Sequence, residues 1–177
     1  IHSSFTALLA YAGNFNAATR ELAKAEKLWP GTDSLWDAQY RFHLRYGDPA
    51  IARAIFERQT NTGGGRGPRL LLQTRENPTP ANVERFMSYI QERLQNMSDP
   101  SAGLGFATLA FGQFGKKEEI ISIMLTWPKV EDVTLIAGVL FRPEFREVRR
   151  DPRFLRIAHR AGLLDYWRTS GNWPDFC

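Results

Sequence analysis

The stretch GNFNAATRELAKAEKL, residues 13–28, sets the pattern that much of the chain repeats. Its apolar residues recur at steps of three and four, and they are Phe15, Ala18, Leu22, Ala25 and Leu28. This spacing places one apolar stripe along a helix of 3.6 residues per turn. Residues 86–94 and 120–127 carry the same spacing, and no stretch shows a convincing strand-like alternation of polar and apolar residues. We therefore predict an all-α chain.

Helix starts are indicated by a capping side chain followed by proline, as in Asp48-Pro49, Thr79-Pro80, Asp99-Pro100 and Asp151-Pro152. The Asp or Thr oxygen can accept a hydrogen bond from a free N–H group of the first turn. Proline at the first helical position costs no helical hydrogen bond, because an N–H group there would have no partner within the helix. Four helix starts are predicted at these points.

Length and composition limit the kinds of protein that this chain can be. Its 177 residues are 43% hydrophobic and 24% charged, values typical of one globular domain or one array of repeats. No apolar run reaches the roughly 18–20 residues that span a bilayer, and the first residues do not resemble a signal peptide. The chain lacks an initiator Met, so we expect a fragment or a processed chain. One cysteine, Cys177, excludes a disulfide framework within the chain and favours a reducing compartment. We expect a cytoplasmic location, or a periplasmic one if a membrane segment precedes Ile1.

A period of 34 residues runs through the sequence. Gly13 and Gly47 are 34 residues apart, and Gly115 lies a further 68 along. The same step gives one apolar column of Ala18, Ala52, Phe86, Ile120 and Phe154, and a second of Leu22, Phe56, Ile90, Met124 and Ala158. A fixed period of this length is typical of stacked helical hairpins. The alternative is an irregular bundle of helical hairpins.

These columns resemble the tetratricopeptide repeat (TPR), a helix-turn-helix unit of about 34 residues. The best matches are Ala18-x3-Leu22 and Ala52-x3-Phe56, where a small residue is followed one turn later by a large one. The resemblance implies an α-α superhelix, or solenoid, of about five hairpins over residues 1–168. Its units lie near 1–32, 33–66, 67–100, 101–134 and 135–168.

Two of these units are degenerate. In the third, glycines and prolines leave room for only a short helical piece around residues 69–75, and the fifth carries the period only in its two apolar columns. Residues 169–177 form an aromatic C-terminal tail that we expect to fold back as a cap. The alternative is an adhesive tail that docks a partner or a second copy.

The end of the chain carries a second resemblance. Residues 141–145, 151–154 and 162–167 are similar to the closing segment of multidomain bacterial regulators. In those proteins a winged-helix DNA-binding domain or a nucleotide-cyclase domain precedes tetratricopeptide repeats. The resemblance implies a C-terminal sensor or scaffold part of a larger regulatory protein, with its output domain outside this chain.

Motifs for catalysis are absent from the sequence. The glycines at 63–67 lack the Lys-Ser/Thr and the preceding strand of a phosphate loop, so we interpret them as a flexible connection. The histidines His2, His43 and His159 have no metal-ligand spacing, and no serine lies in a Gly-x-Ser-x-Gly context. We expect His43 to be partly buried and His159 to lie on a solvated face. We expect no enzyme activity, no metal and no cofactor.

Binding is the favoured class of function. By resemblance, the contact positions of the concave face are Ser3, Ala7, Asp37, Arg41, Leu44, Arg45, Leu109, Gly112 and Gln113. Of these we select Asp37, Arg41, Arg45 and Gln113 as partner-binding residues. Arg41 and Arg45, one turn apart, could grip an acidic group of a protein or peptide, or of another domain of the full-length protein. The alternative is an exposed helix face on which Asp37 pairs with Arg41.

The net charge of +4 is concentrated near the C-terminus. Between residues 142 and 168, eight arginines oppose four acidic residues, so the remainder of the chain is neutral. The basic patch consists of Arg142, Arg146, Arg149, Arg150, Arg153, Arg156 and Arg160. It is interpreted as a solvated face or a docking patch for an acidic surface of the same protein. The alternative function is a nucleic-acid-binding helical repeat that uses this patch.

Aromatic residues make up 12% of the chain, so a base-stacking surface is conceivable. Most of them lie on the apolar stripes, where we expect core positions for Phe15, Phe56, Phe86, Phe111, Phe145 and Phe154.

Overall fold

The computed structural model describes residues 2–58, 65–97, 101–126 and 138–174. Within these ranges every regular element is helical and no residue lies in a strand, which confirms the all-α prediction. The chain divides into two compact units, Ile1–Glu92 and Arg93–Cys177, which are described in turn.

The first unit is built from helical hairpins. Its helices are α1 (His2–Tyr11), α2 (Phe15–Leu28), α3 (Asp33–Arg45), α4 (Pro49–Arg58), α5 (Arg66–Glu76) and α6 (Pro80–Gln95), the last of which continues past Glu92. Helix α1 packs against α2 and α3, and α3 packs against α4 and α5. From α1 to α5, each helix contacts the next one in sequence, and in addition α1 lies beside α3 and α3 beside α5.

Capping side chains begin these helices as the sequence predicts. The Asp48 Oδ1 accepts from the N–H of Ala50 at 2.8 Å, and α4 begins at Pro49. The Thr79 Oγ1 accepts from the N–H of Asn82 at 3.3 Å, and α6 begins at Pro80. Both predicted starts are confirmed, whereas Asp99-Pro100 lies outside the described residues. The start predicted at Asp151-Pro152 is placed too early, because the helix there begins at Phe154.

Three glycines at the 34-residue period serve different purposes. Gly13 and Gly115 have φ of 76° and 66°, the left-handed region in which a helix ends and which favours glycine. Gly47 does not have a positive φ. A Cβ atom at Gly47 would lie 2.5 Å from the His43 Nδ1, so glycine is needed there for close approach.

The two apolar columns form much of the core. Every member of the first column is at most 2% exposed, and this column is Ala18, Ala52, Phe86, Ile120 and Phe154. The second column is also buried except for Phe56, which is half-buried. The period therefore marks positions that burial requires to be apolar.

Helix α5 is longer than the predicted piece at residues 69–75, since it spans Arg66–Glu76. Pro68 lies in its first turn, where a missing N–H costs no helical hydrogen bond, so the proline does not shorten the helix. Arg75 fixes α5 to the end of α3, because its guanidinium donates to the carbonyl oxygens of His43 at 2.6 Å and Gly47 at 3.0 Å. Of the predicted flexible connection at 63–67, residues 63 and 64 lie outside the described residues, whereas Arg66 and Gly67 belong to α5, so the prediction is wrong for that end.

The second unit combines two longer helices with short ones. These are α7 (Ser101–Gln113), α8 (Lys117–Thr126), a 3-10 turn (Pro143–Phe145), α9 (Arg146–Arg149), α10 (Phe154–Arg160) and α11 (Leu163–Ser170). Helix α7 packs against α8 and the 3-10 turn, and α8 packs against α9 and α10. Gly162, with a φ of 71°, separates α10 from α11. The region 135–168 therefore holds several short helices within its described part.

The C-terminal segment turns back towards α11 in its described part. The ring centres of Trp167 and Trp173 are 6.1 Å apart, and Trp167 is buried. The cap that we expect of residues 169–177 stays a prediction, and residues 175–177 lie outside the described part of the chain.

One aromatic expectation is wrong. Phe15 is 37% exposed, whereas Phe86, Phe111, Phe145 and Phe154 are buried. The Phe15 ring stacks on the Tyr46 ring, with ring centres 5.1 Å apart, and it lies at the surface of the packed helices rather than in their core.

Candidate functional site

Helices α1 and α3 enclose an open cleft with a volume of about 290 Å³. Three of the four predicted partner-binding residues, Asp37, Arg41 and Arg45, line it. The remaining lining residues are Ser4, Thr6, Ala7, Ala10, Tyr11, Ala38, Phe42 and Tyr46. The cleft lies wholly within the first unit, and we refer to it as the α1/α3 cleft.

An ion pair marks the rim of the α1/α3 cleft. The Arg41 Nε donates to the Asp37 Oδ1 at 2.8 Å, across one turn of α3. The hydrogen bond to Asp37 raises the pKa of the Arg41 guanidinium, so this group is always charged. Both partners are well exposed, so the pair adds little to stability and can exchange with a ligand's acid group. Arg45, one turn further along α3, is half-buried.

The lining of the α1/α3 cleft combines apolar side chains with the hydroxyl-bearing residues Ser4, Thr6, Tyr11 and Tyr46. Ala10 and Phe42 are buried, and Ala7 and Ala38 are half-buried. Thr6 is only 2% exposed, and its Oγ1 has no hydrogen-bond partner in the structure as described. Sequence reasoning missed Thr6, although a polar residue four positions before the core residue Ala10 is a signal that it lies on the buried face of α1.

A second cavity of about 450 Å³ lies on another side of α3, towards α4. Its lining residues are Glu26, Trp36, Gln39, His43, Ala50, Ile51, Ala54, Ile55 and Arg58. The Gln39 Nε2 donates to Glu26 at 2.8 Å, and the His43 Nδ1 accepts from the N–H of Asp48 at 3.2 Å. Burial lowers the pKa of His43, which is half-buried as predicted. His159, in contrast, is exposed as predicted.

The fourth predicted residue, Gln113, belongs to the second unit. Beside it, Gly112 lies so close to the 3-10 turn that a Cβ there would be 2.6 Å from the Glu144 Cβ. The Glu144 carboxylate oxygens are buried and have no hydrogen-bond partner in the described structure. The chain's own 3-10 turn therefore covers α7 at Gly112, which is itself one of the contact positions that the resemblance implies.

Several arginines of the basic patch bond to the chain itself. The Arg149 Nη1 donates to the carbonyl oxygens of Leu140 at 2.7 Å and Arg142 at 2.9 Å. Burial lowers the pKa of Arg149. The Arg142 Nε donates to the Gly138 carbonyl oxygen at 2.8 Å. Arg150 forms an exposed ion pair with Glu147 at 2.9 Å. Arg146, Arg156 and Arg160 are exposed.

Arg153 belongs to an ionic network that joins α8 to the start of α10. Its guanidinium donates both Nη groups to Glu118 at 2.8 Å and its Nε to Asp151 at 2.8 Å. The Lys117 Nζ donates to the same Asp151 at 3.0 Å. The bonds from Arg153 hold the pKa of Asp151 well below its usual range. Arg153 thus has a structural role, with its donors directed at acidic groups of the chain.

No described group of three or more His, Cys, Asp or Glu residues is placed to bind a metal ion. Among the described helices, none has both the length and the apolar character that crossing a membrane requires. Comparisons of the chain with protein-family models, with curated proteins and with solved structures find no match.

Proposed function

We propose that this chain is a non-catalytic recognition module, the C-terminal sensor or scaffold part of a larger bacterial regulatory protein in the cytoplasm. It binds an acidic group of a protein, a peptide or another ligand in the α1/α3 cleft. The observation that carries the proposal is that Asp37, Arg41 and Arg45 line one cavity.

The helix order supports a tetratricopeptide-like arrangement of the hairpins. In such an array the first helices of successive hairpins are adjacent and form the concave face. Helix α1 packs against α3, and α3 packs against α5, while α2 lies beside α1 and α4 lies beside α3. We propose that these hairpins form part of an α-α superhelix whose concave face holds the α1/α3 cleft.

The charges of the cleft favour an acidic ligand. Two arginines and one aspartate line it, so cationic side chains outnumber anionic ones among its lining residues. A guanidinium presents a planar set of donors that matches a carboxylate with two parallel hydrogen bonds. Asp37 holds Arg41 across one turn of α3, which orders its side chain before a ligand arrives.

A binding assay with defined peptides tests this proposal. Acidic peptides should bind the chain, and the variant Arg41→Glu with Arg45→Glu should lose that binding while its circular dichroism stays unchanged. The matched control is Arg20→Glu with Lys27→Glu, which makes the same charge change on exposed positions of α2. Equal binding by the two double variants would show that the cleft is not the site.

A nucleic-acid-binding function is the second candidate, favoured by the exposed side chains of Arg146, Arg156 and Arg160 together with the exposed ring of Tyr166. Random-sequence RNA or DNA would be titrated at two salt concentrations. If phosphates are neutralised, the binding constant falls steeply with salt, with a slope of about −0.7 to −0.9 per contact. Absence of binding at low salt would exclude this function.

A further inference from the structure

We infer that the turn between α3 and α4 is a proton-sensitive joint, in which protonation of His43 at Nδ1 loosens the attachment of α5 to α3. We refer to it as the α3–α4 joint. It operates independently of the proposed function, because it concerns the packing of successive hairpins and needs no ligand. Three features of the turn produce it: a hydrogen bond that His43 accepts, the close approach of Gly47 to the ring, and two carbonyl oxygens that bind Arg75.

The closed form of the α3–α4 joint requires an unprotonated nitrogen. Three residues separate the end of α3 at Arg45 from the start of α4 at Pro49. The N–H of Asp48, the last of the three, donates to the His43 Nδ1 at 3.2 Å. Because Nδ1 accepts, the neutral imidazole carries its proton on Nε2. A proton on Nδ1 would turn this acceptor into a donor, and two N–H groups would then face each other.

The ring of His43 has little room to avoid this conflict. A Cβ atom at Gly47 would lie 2.5 Å from the ring Nδ1 and 3.2 Å from both its Cγ and its Cε1. The Nδ1 edge of the ring therefore lies directly against the backbone of the turn. To separate the two N–H groups, either the ring or the turn has to move.

Arg75 transmits a movement of the turn to α5. Its guanidinium donates to the carbonyl oxygens of His43 at 2.6 Å and of Gly47 at 3.0 Å. These acceptors belong to the residue that carries the ring and to the residue against which the ring lies. A shift of the turn moves both acceptors, and hydrogen bonds weaken steeply as their geometry departs from the ideal. The positive charge of the protonated ring also repels the guanidinium.

The charged groups around His43 come in opposite pairs. Asp48 of the turn favours protonation of the ring, and Arg75 of α5 opposes it. Glu26 of α2 and Arg58 of α4 line the cavity that His43 also lines. Burial has the largest effect and lowers the pKa of His43 from 6.5, so the ring is neutral at pH 7 and the joint is closed. The joint opens as the pH falls below 6.5 and then through that lowered pKa.

Nuclear magnetic resonance of the intact chain tests the α3–α4 joint. Nitrogen chemical shifts of the His43 ring should show the Nε2–H form at pH 7. Between pH 7 and pH 5, hydrogen exchange of the Asp48 amide, divided by its intrinsic rate, should accelerate about five- to tenfold, the effect of one lost hydrogen bond. The guanidinium N–H signals of Arg75 should broaden with the same midpoint as the titration of the ring, because exchange at the turn and at Arg75 proceeds through one local opening.

His43→Asn separates this joint from a general effect of acid. The Asn side-chain oxygen lies one bond beyond Cγ, as Nδ1 does, so it can accept from Asp48 but does not titrate. Exchange of the Asp48 amide should then lose its acceleration. His159→Asn is the matched control, since it makes the same change at an exposed histidine of α10, and it should keep the acceleration. Equal acceleration in the two variants would overturn the joint, as would a proton on Nδ1 at pH 7.

Arg75→Met tests the link to α5 from the other side. If protonation of His43 weakens the bonds of Arg75, then removal of Arg75 must raise the pKa of His43 towards 6.5, because coupling between two sites is reciprocal. Arg85→Met, at an exposed position of α6, should leave that pKa unchanged. An equal His43 pKa in both variants, or Arg75 signals that do not follow the ring titration, would overturn the link. Should Arg75→Met not fold, the comparison of His43→Asn with His159→Asn decides.

Discussion

Arg75 is expected to be a major source of stability in the first unit. Its guanidinium joins α5 to the C-terminal end of α3 by bonds to the carbonyl oxygens of His43 at 2.6 Å and Gly47 at 3.0 Å. Burial lowers the pKa of this guanidinium, so its charge is partly removed from water and depends on these two acceptors. A hydrogen bond to a charged group contributes about 1.5–3 kcal/mol, and the half-buried position reduces that contribution. Arg75→Met keeps the apolar stem and removes both bonds, so we expect a loss of about 2–4 kcal/mol.

The assay must report on the first unit, because the two compact units can unfold separately. Hydrogen exchange of the amides in residues 33–58 reports on this unit directly, and the Tm of the first unit's own transition should fall by about 4–8 °C for each kcal/mol lost. Arg85→Met is the matched control, since Arg85 is exposed on α6, where its guanidinium donates to the Asn82 side chain. It should change stability by less than about 0.5 kcal/mol. Equal effects of the two substitutions would refute the reasoning.

Two further predictions concern close packing and pH. Gly112→Ala should destabilise the second unit by about 1–3 kcal/mol, because its Cβ would lie 2.6 Å from the Glu144 Cβ. In the same helix, Gly105→Ala should stabilise the second unit by up to about 1 kcal/mol, since its Cβ would make only ordinary van der Waals contacts. Urea denaturation measures the stability of both variants, and a Gly112→Ala variant more stable than Gly105→Ala would contradict the packing argument. Burial lowers the pKa of His43 from 6.5, so the unfolded chain binds its proton first and stability falls as pH drops below 6.5. His43→Gln, whose amide oxygen can still accept from Asp48, should flatten the dependence of Tm on pH between 7 and 5, and an unchanged slope would contradict this.

Local patterns predicted the helices well, because each pattern reports on forces that act within one or two turns. The stripe at residues 15–28 and the prolines at 49 and 80 placed α2, α4 and α6 correctly. The same reasoning underestimated α5, since glycine and proline near a helix start are less harmful than in its interior. The burial of Phe15 was predicted wrongly for a different reason. Phe15 is the first residue of α2, and a periodic apolar stripe does not show where the neighbouring helices stop covering the stripe.

The candidate cleft was predicted in part. Asp37 and Arg41 could be placed on one face from their spacing of four residues, and Arg45 from its position one turn later. Thr6 could not be selected from the sequence, because what distinguishes it is that its buried hydroxyl group makes no hydrogen bond. Whether a helical hydroxyl bonds to its own backbone depends on side-chain rotation and on the neighbouring helix, neither of which the spacing of residues records.

The basic patch shows that predictions from the sequence are limited in the same way when they concern surface charge. Counting residues locates +4 between 142 and 168, but it treats each arginine as an equal contributor to a surface. In the structure Arg149 directs its donors at two carbonyl oxygens, and Arg153 directs its donors at Glu118 and Asp151. A phosphate that approached Arg153 would have to displace two carboxylates already held in close hydrogen bonds. The exposed residues Arg146 and Arg156 would therefore carry more of any nucleic-acid affinity than Arg149 and Arg153. It follows that Arg153→Gln should disturb the junction of α8 and α10 far more than it changes the salt dependence of binding.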